Sequence, residues 1–538
     1  MSKIFGIDLG TTYSCIAYVD EYGKPVTVSN QENSPVTPSV VFFETGENAV
    51  VGEIAKQALG SDPDLVCSTI KRQMGKSDYK FHANGVDYKP ETVSSLILKK
   101  LAKDASEKLG EEVKDVVITC PAYFGLDERE ATKKAGEIAG LNVLSIINEP
   151  TAAAVSYGAL ENAQTVMVYD LGGGTFDVTI LEITSSDRVN SFAVKSTNGD
   201  HNLGGKDWDA EIQSYAIDQY VQQKGCSADE IYDDTVVMGD LELRSEQAKK
   251  TLTKAGKTSF RINDVKIELT LEQFESMTAK CLQRTIDFTN QAIAEANANG
   301  VSHIDKILLV GGSTFMPQVK KRLEQEFAGT PIEFCDPNES VARGAALFGQ
   351  DLELYKEVQD IADKTGKDVI TVIEDPNLTG NTGLQLPSGK KMTVLNNVIS
   401  KSYALEFVDG IRNKIFRNTP IPLEVAIGAS TVEANQTSVI LSVYENNYPK
   451  GKTEDEDIVK PEDGKLIISD ELKPLPENLP ANAPIDVIMK IDEQGLLSVD
   501  AKDVTGGRTV HMEVKLQSVM SAEEVEEAKS QVKALKLL

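Results

Sequence analysis

Histidine and cysteine, the residues that most metal centres and disulfide frameworks need, are scarce in this sequence. Its 538 residues include 4 histidines and 6 cysteines. The cysteines lie far apart, form no CxxC pair and in several cases fall inside apolar segments, so buried thiols are expected rather than disulfides or a zinc site. The histidines have no metal-like spacing, which also sets aside a histidine-based triad. These residues are Cys15, Cys67, Cys120, Cys226, Cys281, Cys335, His82, His201, His303 and His511.

Positive charge is also in short supply. The chain has 55 Lys and Arg against 83 Asp and Glu, which gives a net charge of −28 and argues against nucleic acid as the main partner. There is no stretch long and apolar enough to cross a bilayer and no leader-like N-terminus. We therefore expect a cytoplasmic protein with no membrane partner, and the length predicts about three or four domains.

What the sequence does contain is a glycine-rich stretch, YDLGGGTFD, between Tyr169 and Asp177. An apolar segment predicts a buried strand running into Asp170, and FDVTILEI predicts another strand directly after the glycines. Glycines allow consecutive backbone N–H groups to face an anion, and a carboxylate beside them can hold a hydrated divalent cation. One interpretation is a nucleotide phosphate site, and the other is an ordinary glycine-rich hairpin.

A second copy of this pattern lies near the N-terminus, in KIFGIDLGTTYSCIAYV. It has an apolar strand, then Asp8, Leu9 and Gly10, then an alternating strand from Cys15 to Val19. Two D-L-G turns on strand–turn–strand units, separated by roughly a domain's length, predict two halves of a duplicated fold that face one cleft. The duplication favours the phosphate site over the hairpin.

Two charged residues between the turns are candidates for chemistry. Lys71, in STIKRQMGK, is either a solvated surface residue or a cation that reaches a terminal phosphate from the opposite wall. Glu149, in IINEPTAAAVSYG, follows a short predicted strand, where a carboxylate could orient an attacking water. Helices predicted at 91–109 and 127–139 alternate with a strand predicted at 113–124, which indicates an α/β class.

Beyond residue 350 the pattern changes. The segment 351–391 is polar, with an acidic helix-like start and a strand-like run from Val369 to Ile373. From residue 397 onwards apolar and polar residues alternate between turn signals, which predicts an antiparallel β-sandwich, on pattern alone also compatible with a structural or dimerising module. Solvated loops and an edge strand are expected at 448–484, and one amphipathic helix at 521–538.

Eight motifs closely resemble, in order and spacing, those of the Hsp70 chaperones: GIDLGTTYS, IKR, CPAYF, INEPTAAA, YDLGGGTFD, LGGKDWD, LVGGSTFMP and DPNESVARGAA. The resemblance covers residues 1–350 and resumes from 394 to 517. It implies an α/β actin-like ATPase domain (RNase H-like, duplicated) followed by a peptide-binding antiparallel β-sandwich. The domains would be 1–350, an insertion and linker at 351–396, the sandwich at 397–517 and a short helix at 518–538.

The resemblance also implies an ATP site in which water is the acceptor of the γ-phosphoryl group. ATP or ADP, Mg²⁺ and K⁺ would be the cofactors, with Mg²⁺ held mostly through water. The implied metal-binding residues are Asp8, Asp170 and Asp177. The implied catalytic residues are Asp8, Lys71, Glu149, Asp170 and Thr175.

Further positions match the family's nucleotide contacts. Pro121 and Arg129 match the residues that relay the state of the ATP site to the peptide-binding domain. Phe315 stands where the family usually has arginine, and since a phenyl ring can also stack on adenine, we expect binding to survive. Asn338 stands where the family usually has aspartate. The matched nucleotide contacts are Gly10, Thr11, Thr12, Tyr13, Gly172, Gly173, Gly174, Gly204, Gly205, Glu246, Lys249, Lys250, Thr253, Gly311, Gly312, Ser313 and Phe315.

In the sandwich, the resemblance implies a groove for an extended apolar peptide. Ala429 occupies a position where the family usually has phenylalanine, so a wider or weaker pocket is expected. No full helical lid follows the sandwich in this sequence, so bound peptide is expected to exchange faster. The aligned pocket positions are Leu405, Val408, Ala429, Val432, Val439 and Leu441.

Partner contacts are altered as well. The family's arginine before IINEP is Ser145, and the acid that ends its linker is replaced by Asn396 or Asn397. The resemblance implies a J-domain protein and a nucleotide exchange factor as partners, and these changes predict poor binding of generic J-proteins. A dedicated partner, or none, is then expected.

The sequence thus predicts an Hsp70-type chaperone, with a role in protein folding and the stress response, whose slow ATP hydrolysis controls binding of exposed apolar segments of unfolded proteins. The alternative is an ATP-dependent scaffold or regulatory protein with a dedicated partner and weak interdomain coupling. A sugar kinase with the same ATPase fold is more distant, because the sandwich has no place in it.

Overall fold

The computed structural model describes residues 3–158, 164–375, 377–378, 391–451, 457–492, 495–513 and 519–538. The chain forms two compact units. The first comprises 1–124, 128–395 and 520–538, and the second comprises 125–127 and 396–519. The predicted domain boundary after residue 350 falls within the helix Ser340–Thr365. The first unit continues beyond this helix to Leu395.

The strands follow one another in chain order as β1 Ile4–Asp8, β2 Tyr13–Val19, β3 Pro25–Thr27, β4 Thr37–Pro38, β5 Val41–Phe42, β6 Asn48–Val51, β7 Val66–Cys67, β8 Phe81–Ala83, β9 Val86–Tyr88, β10 Asp115–Cys120, β11 Asn142–Asn148, β12 Gln164–Leu171, β13 Phe176–Ser185, β14 Val189–Asp200, β15 Lys257–Ile262, β16 Val265–Thr270, β17 Lys306–Val310, β18 Ile332–Phe334, β19 Met392–Asn396, β20 Ser402–Phe407, β21 Gly410–Ile415, β22 Leu423–Ser430, β23 Val439–Asn446, β24 Ile458–Val459, β25 Lys465–Leu472, β26 Pro484–Ile491, β27 Leu497–Asp503, β28 Thr509–Glu513 and β29 Lys536–Leu537.

The helices follow as α1 Glu53–Gln57, α2 Pro90–Leu109, α3 Leu126–Ile138, α4 Glu149–Tyr157, α5 Gly205–Lys224, α6 Asp229–Tyr232, α7 Thr235–Leu252, α8 Leu271–Met277, α9 Ala279–Ala298, α10 Pro317–Glu326, α11 Ser340–Thr365, α12 Val369–Glu374 and α13 Ala522–Ala534. Short 3₁₀ turns include Ile70–Gln73 and Gly312–Phe315. No helix among the described residues is long and apolar enough to cross a membrane.

Two sheets of the first unit repeat one strand order. The first runs β11-β10-β1-β2-β3, and the second runs β18-β17-β12-β13-β14-β19. In each, the central strand, β1 or β12, pairs in parallel with β10 or β17 and antiparallel with β2 or β13. Asp8 at the end of β1 and Asp170 near the end of β12 therefore occupy equivalent places.

Both central strands are buried, as continuous apolar runs predict for strands covered on two faces. Strand β12 is buried from Val166 through Leu171, which includes the carboxylate of Asp170. The polar groups that chemistry requires consequently lie at strand ends, where the backbone turns away from the apolar core.

The segment after residue 350 differs from its prediction in one respect. Val369 to Ile373 was predicted as a strand but forms the helix α12, because Asp368 caps its N-terminus by accepting a hydrogen bond from the backbone N–H of Thr371 (2.9 Å). Helix α11 runs on to Thr365, and β19 lies at the edge of the second sheet. Residues 376 and 379–390 lie outside the described residues.

The C-terminal segment belongs to the first unit. Helix α13 begins at a capping box between Ser521 and Glu524 and buries Val525 and Val532 against the core around the first sheet. The helix predicted to reach Leu538 ends at Ala534. The last residues instead form β29, which pairs in parallel with β6, since that open strand edge offers backbone partners.

The second unit contains two antiparallel sheets that share one apolar core and so form a β-sandwich. One sheet runs β24-β21-β20-β23-β25 and the other β22-β26-β27-β28. Apolar residues alternate toward the core along β26, as the period of two predicts. Strands β24 and β25 lie at the edges of their sheet within the 448–484 segment, while residues 452–456 lie outside the described residues.

Candidate functional site

A cavity of about 780 Å³ lies in the first unit, and its walls come from both duplicated halves. The five predicted catalytic residues all line it. So do most predicted nucleotide contacts, namely Gly10, Thr11, Thr12, Tyr13, Gly172, Gly173, Glu246, Lys249, Lys250, Thr253, Gly311, Gly312, Ser313 and Phe315. The cavity is large enough for a nucleoside triphosphate.

The glycine loops of the two halves pack directly against each other. A Cβ on Gly173 would lie 2.1 Å from the hydroxyl of Thr12, and one on Gly174 would lie 2.2 Å from the methyl of Thr11. A Cβ on Gly204 would lie 2.6 Å from the backbone nitrogen of Gly174. Gly174, Gly204 and Gly205 therefore do not line the cavity but allow the loops that do so to approach each other.

Two features of these loops fit an anion. Thr11 is buried, and its hydroxyl has no hydrogen-bond partner within the described part of the chain. Gly311 has a φ of +81°, and a Cβ there would lie 2.3 Å from the carbonyl oxygen of Leu171. Only glycine allows the backbone to pass so close, so this wall of the cavity is made of main chain.

Lys71 and Glu149 form a buried ion pair at the cavity wall. Lys71 lies in the 3₁₀ turn Ile70–Gln73, which follows a left-handed residue, Thr69, at a φ of +55°. Glu149 begins α4, where the helix dipole stabilises a carboxylate. Burial alone would lower the pKa of Lys71, but the carboxylates of Glu149 and Asp8 outweigh it and raise that pKa, so the ammonium group stays charged at neutral pH.

The aspartates of the cavity carry an excess of negative charge. Burial raises the pKa of Asp8 to about 7, and the neighbouring Glu149 adds to the rise. Burial also raises the pKa of Asp170 well above its usual range, with Glu149, Asp177 and Asp8 adding to it. A hydrated divalent cation would neutralise this charge, so the donor set fits Mg²⁺. Among the described residues no three His, Cys, Asp or Glu side chains converge on one metal position.

Asp177, the third predicted metal ligand, does not line the cavity. It lies beneath the second glycine loop, where it is buried and accepts a hydrogen bond from the backbone N–H of Tyr123 (3.0 Å). Burial raises its pKa to about 7, and the charge of Glu149 adds to the rise. The structure therefore places it within electrostatic reach of the site rather than on its wall.

A polar network closes the other end of the cavity. The hydroxyl of Tyr13 donates to Glu246 (3.0 Å) and accepts from Lys56 and Lys250 (2.8 Å each). Burial would raise the pKa of Glu246, but Lys56, Lys250 and Lys206 outweigh it and hold that pKa well below its usual range. Sequence analysis missed Lys56, whose surroundings in the chain carry no motif.

Lys249 connects this network to the glycine loops. Its Nζ donates to the carbonyl of Gly205 (2.7 Å) and forms an ion pair with Asp209 (2.8 Å), a buried residue that also lines the cavity. The hydroxyl of Ser313 donates to the carbonyl of Gly172 (2.8 Å). Asp209 lies in the LGGKDWD motif and could have been found there, but sequence analysis did not single it out.

Arg72 is another residue that sequence analysis missed. Its Nε donates to the carbonyl of Gly174 (2.8 Å), and its Nη2 pairs with Asp207 (2.6 Å). Asp207 in turn accepts from the backbone N–H of Gly204 (2.7 Å). An arginine of the first half thus fixes the glycine loop of the second, and the sequence marks it only as a charged residue beside Lys71.

The two predicted relay residues lie outside the cavity lining. Pro121 follows directly after β10 and is buried. Arg129, on α3, donates from Nε to the carbonyl of Phe124 (3.3 Å) and from Nη2 to the side chain of Asn148, the residue before Glu149. Through Asn148, Arg129 is connected to the start of the helix that carries Glu149.

The predicted peptide positions of the second unit divide into two groups. Leu405 and Leu441 are buried in the sandwich core, with Ala429 and Val439 partly buried against it. Val408 and Val432 are 83% and 55% exposed. The six positions thus differ in exposure, and four of them pack together in or against the sandwich core.

Comparison with protein families bears on the whole chain. A family model described as Hsp70 protein matches residues 4–372 and 382–536. The match includes residues 351–372, which sequence analysis did not align, and it confirms the resemblance found from the motifs. The chain belongs to the Hsp70 family.

Proposed function

We propose that this Hsp70-family protein is a Mg²⁺-dependent ATPase with slow basal turnover that controls the binding of apolar segments of unfolded polypeptides. Members of the family are ATP-dependent chaperones. The observation that carries the proposal is the cavity in which Asp8, Lys71, Glu149, Asp170 and Thr175 meet two glycine loops. The other predictions, an actin-like arrangement, K⁺, J-domain and exchange-factor partners, cytoplasmic location and a stress role, remain predictions.

Water is the acceptor in this proposal, because the described cavity wall offers no strongly nucleophilic side chain. Glu149, held by Lys71 and by the start of α4, would accept a hydrogen bond from the attacking water and orient it. Thr175 lies on the same wall and would help to place that water. Positioning of this kind is the main requirement for phosphoryl transfer.

Charge stabilisation comes from Lys71, the ion-pair partner of Glu149. The Lys71 ammonium group, charged and buried, would approach the γ-phosphoryl oxygens, where negative charge is redistributed during transfer. Asp8 and Asp170 would hold Mg²⁺, which when bound neutralises phosphate charge and orients the triphosphate. The backbone of the glycine loops and the hydroxyl of Thr11 would receive the remaining phosphate oxygens.

The alternative, an ATP-regulated scaffold with one dedicated partner, has support in the second unit. Val408 and Val432 are exposed while Leu405 and Leu441 belong to the core, so only part of the predicted peptide surface is accessible. A surface arranged in this way suits a partner that brings its own complementary shape. The two functions differ in whether a generic apolar peptide affects hydrolysis.

Single-turnover ATP hydrolysis, with and without an extended apolar heptapeptide, tests the proposal. The chaperone function predicts that peptide accelerates hydrolysis, and that Lys71→Ala lowers the hydrolysis rate by roughly 10²- to 10³-fold while ATP still binds. Lys76→Ala is the matched control, because Lys76 is an exposed lysine a few residues away that contacts Gln73.

Each outcome has one meaning. If peptide leaves the rate unchanged while ATP is hydrolysed, the scaffold function replaces the chaperone function. If Lys71→Ala hydrolyses ATP like the Lys76→Ala control, the assignment of the catalytic residues is wrong.

A further inference from the structure

The cavity has two chemically different ends. One end carries the glycine loops with Lys71, Asp8 and Asp170. The other end carries the ring of Phe315 together with Lys250 and other residues of the α7 region. A nucleotide whose phosphates occupy the first end places its base at the second, so Phe315 is the apolar surface that the base meets.

Sheet geometry extends this surface beyond Phe315. Strands β12, β17 and β18 are parallel neighbours, with Asp170 opposite Val310 and Leu309 opposite Phe334. Since neighbouring strands lie about 4.8 Å apart, Phe334 lies roughly 10 Å across the sheet from the strand of Asp170. That distance matches the span from phosphate to base.

The rings of Phe315 and Phe334 stack on each other. Their centroids are 5.3 Å apart and their planes are inclined by 21°. Both residues remain largely exposed, at 45% and 42%. Phe315 ends a 3₁₀ turn that is fixed by a hydrogen bond from the backbone N–H of Met316 to the carbonyl of Ser313 (3.2 Å), and Pro317 follows. The pair is therefore held at the cavity mouth by a stiff turn and a strand end.

On the facing wall, the charge of Lys250 is engaged by other side chains of the protein. The Nζ of Lys250 is bound to Glu246 (2.6 Å) and to the hydroxyl of Tyr13 (2.8 Å), so its charge is directed into the polar network. The aliphatic part of Lys250 remains available for contact. A flat base at this end would lie between a hydrocarbon chain and an aromatic face.

We propose that Phe334 is a positioning residue that holds Phe315 as an aromatic wall, and that this wall selects nucleotides by base stacking. The inference rests on the proposed function, because it assumes a nucleotide in the cavity. Stacking energy increases with ring area, so purine nucleotides should bind more tightly than pyrimidine nucleotides.

Calorimetric titration of the full chain with ATP, UTP and inorganic tripolyphosphate, each with Mg²⁺, tests the inference. Phe315→Ala should weaken ATP binding by roughly ten- to hundredfold and UTP binding by less, with tripolyphosphate binding unchanged. Phe334→Ala should weaken ATP binding by about three- to tenfold, because the unsupported ring of Phe315 can tilt. Phe315→Leu, which keeps apolar bulk without an aromatic face, should fall between wild type and Phe315→Ala.

A double variant separates positioning from a general structural effect. In the Phe315→Ala background, Phe334→Ala should have no further effect on ATP affinity, since it acts through Phe315. Tyr232→Ala removes an exposed aromatic residue of the same unit that does not line the cavity, and it should bind ATP like wild type.

Three results would overturn the inference. The first is an equal loss of ATP and tripolyphosphate affinity in Phe315→Ala. The second is an undiminished effect of Phe334→Ala in the Phe315→Ala background, and the third is an equal affinity of wild type for ATP and UTP. A wild-type protein that binds ATP but does not hydrolyse it would contradict the proposed function, while the affinities would still decide the inference.

Discussion

The cavity of the first unit and the apolar positions of the second unit were both predicted from motifs, yet they differ in how their residues come together. In the cavity, predicted residues from six separate stretches of the sequence line one space. In the sandwich, Leu405 and Leu441 belong to the core while Val408 and Val432 lie on the surface. The cavity residues lie at strand ends and glycine loops that the fold brings together, whereas the sandwich positions are divided between strand residues packed in or against the core and two exposed valines that follow β20 and β22.

The largest effect that tests this comparison is expected in the sandwich core. Leu441→Ala removes a side chain that is only 6% exposed, so it should lower the free energy of unfolding of the sandwich by about 3 kcal/mol. The measurement is urea unfolding followed by a probe in the second unit. The matched control is Val408→Ala, an 83% exposed position where the change should stay within about 0.5 kcal/mol.

Peptide affinity, measured in the same two variants, further distinguishes core positions from exposed positions of the sandwich. If the exposed valines are the contact surface, Val408→Ala should weaken binding of an apolar heptapeptide without loss of stability. Equal loss of stability in both variants would break the comparison, because the division into core and surface positions would then have no energetic meaning.

The next effect concerns the contact between the glycine loops. Gly204→Ala places a Cβ 2.6 Å from a backbone nitrogen of the second loop, so that loop must shift and ATP affinity should fall by about tenfold or more. Gly256→Ala is the matched control, since a Cβ there has no neighbour within 4 Å and the backbone has an ordinary φ. Calorimetric titration with MgATP measures both variants, and similar affinities would show that the loops are not held by this close approach.

Most of the predicted site residues line one cavity, for a physical reason. Two D-L-G turns indicated a duplicated α/β unit, and the two sheets do share one strand order. Close backbone approaches need glycine and buried charge needs a partner, so such positions allow few residue types. Gly173, Lys71 and Glu149 are of this kind.

Other features of the structure could not be predicted from the local sequence. Lys56 and Arg72 act through long-range contacts, at sequence separations of 190 residues to Glu246 and 102 residues to Gly174, with no local signal beyond a charged residue. The β-branched run at Val369 to Ile373 favours a strand, but the Asp368 cap and tertiary packing produce a helix. The strand β29 depends on an open sheet edge far away in the sequence.

The smallest effect is a pH dependence that arises in the cavity region and has no counterpart at the apolar positions of the sandwich. Asp8 and Asp177 have a pKa of about 7 in the folded chain, raised by burial and by Glu149 from an ordinary value of 3.8. The folded state therefore keeps protons that the unfolded chain releases, so the associated stability is present at low pH and is lost as the pH rises through 7. Between pH 6 and pH 8 each group should lower the free energy of unfolding of the nucleotide-free protein by about 1 kcal/mol.

Urea unfolding of the first unit across this pH range measures the slope. Asp177→Asn should reduce the slope and leave the contributions of Asp8 and Asp170, because the amide oxygen can still accept the hydrogen bond from the backbone N–H of Tyr123 but no longer titrates. Asp264→Asn, at an exposed position whose pKa is lowered by hydrogen bonding to Lys224, should leave the slope unchanged. Saturating MgATP should flatten the slope in wild type, since a bound cation favours the ionised carboxylates over the protonated ones. A slope that persists with saturating MgATP would mean that the bound cation does not affect the protonation of these carboxyl groups. Their raised pKa values would then depend only on burial in the packed core, as the stability of the sandwich positions does.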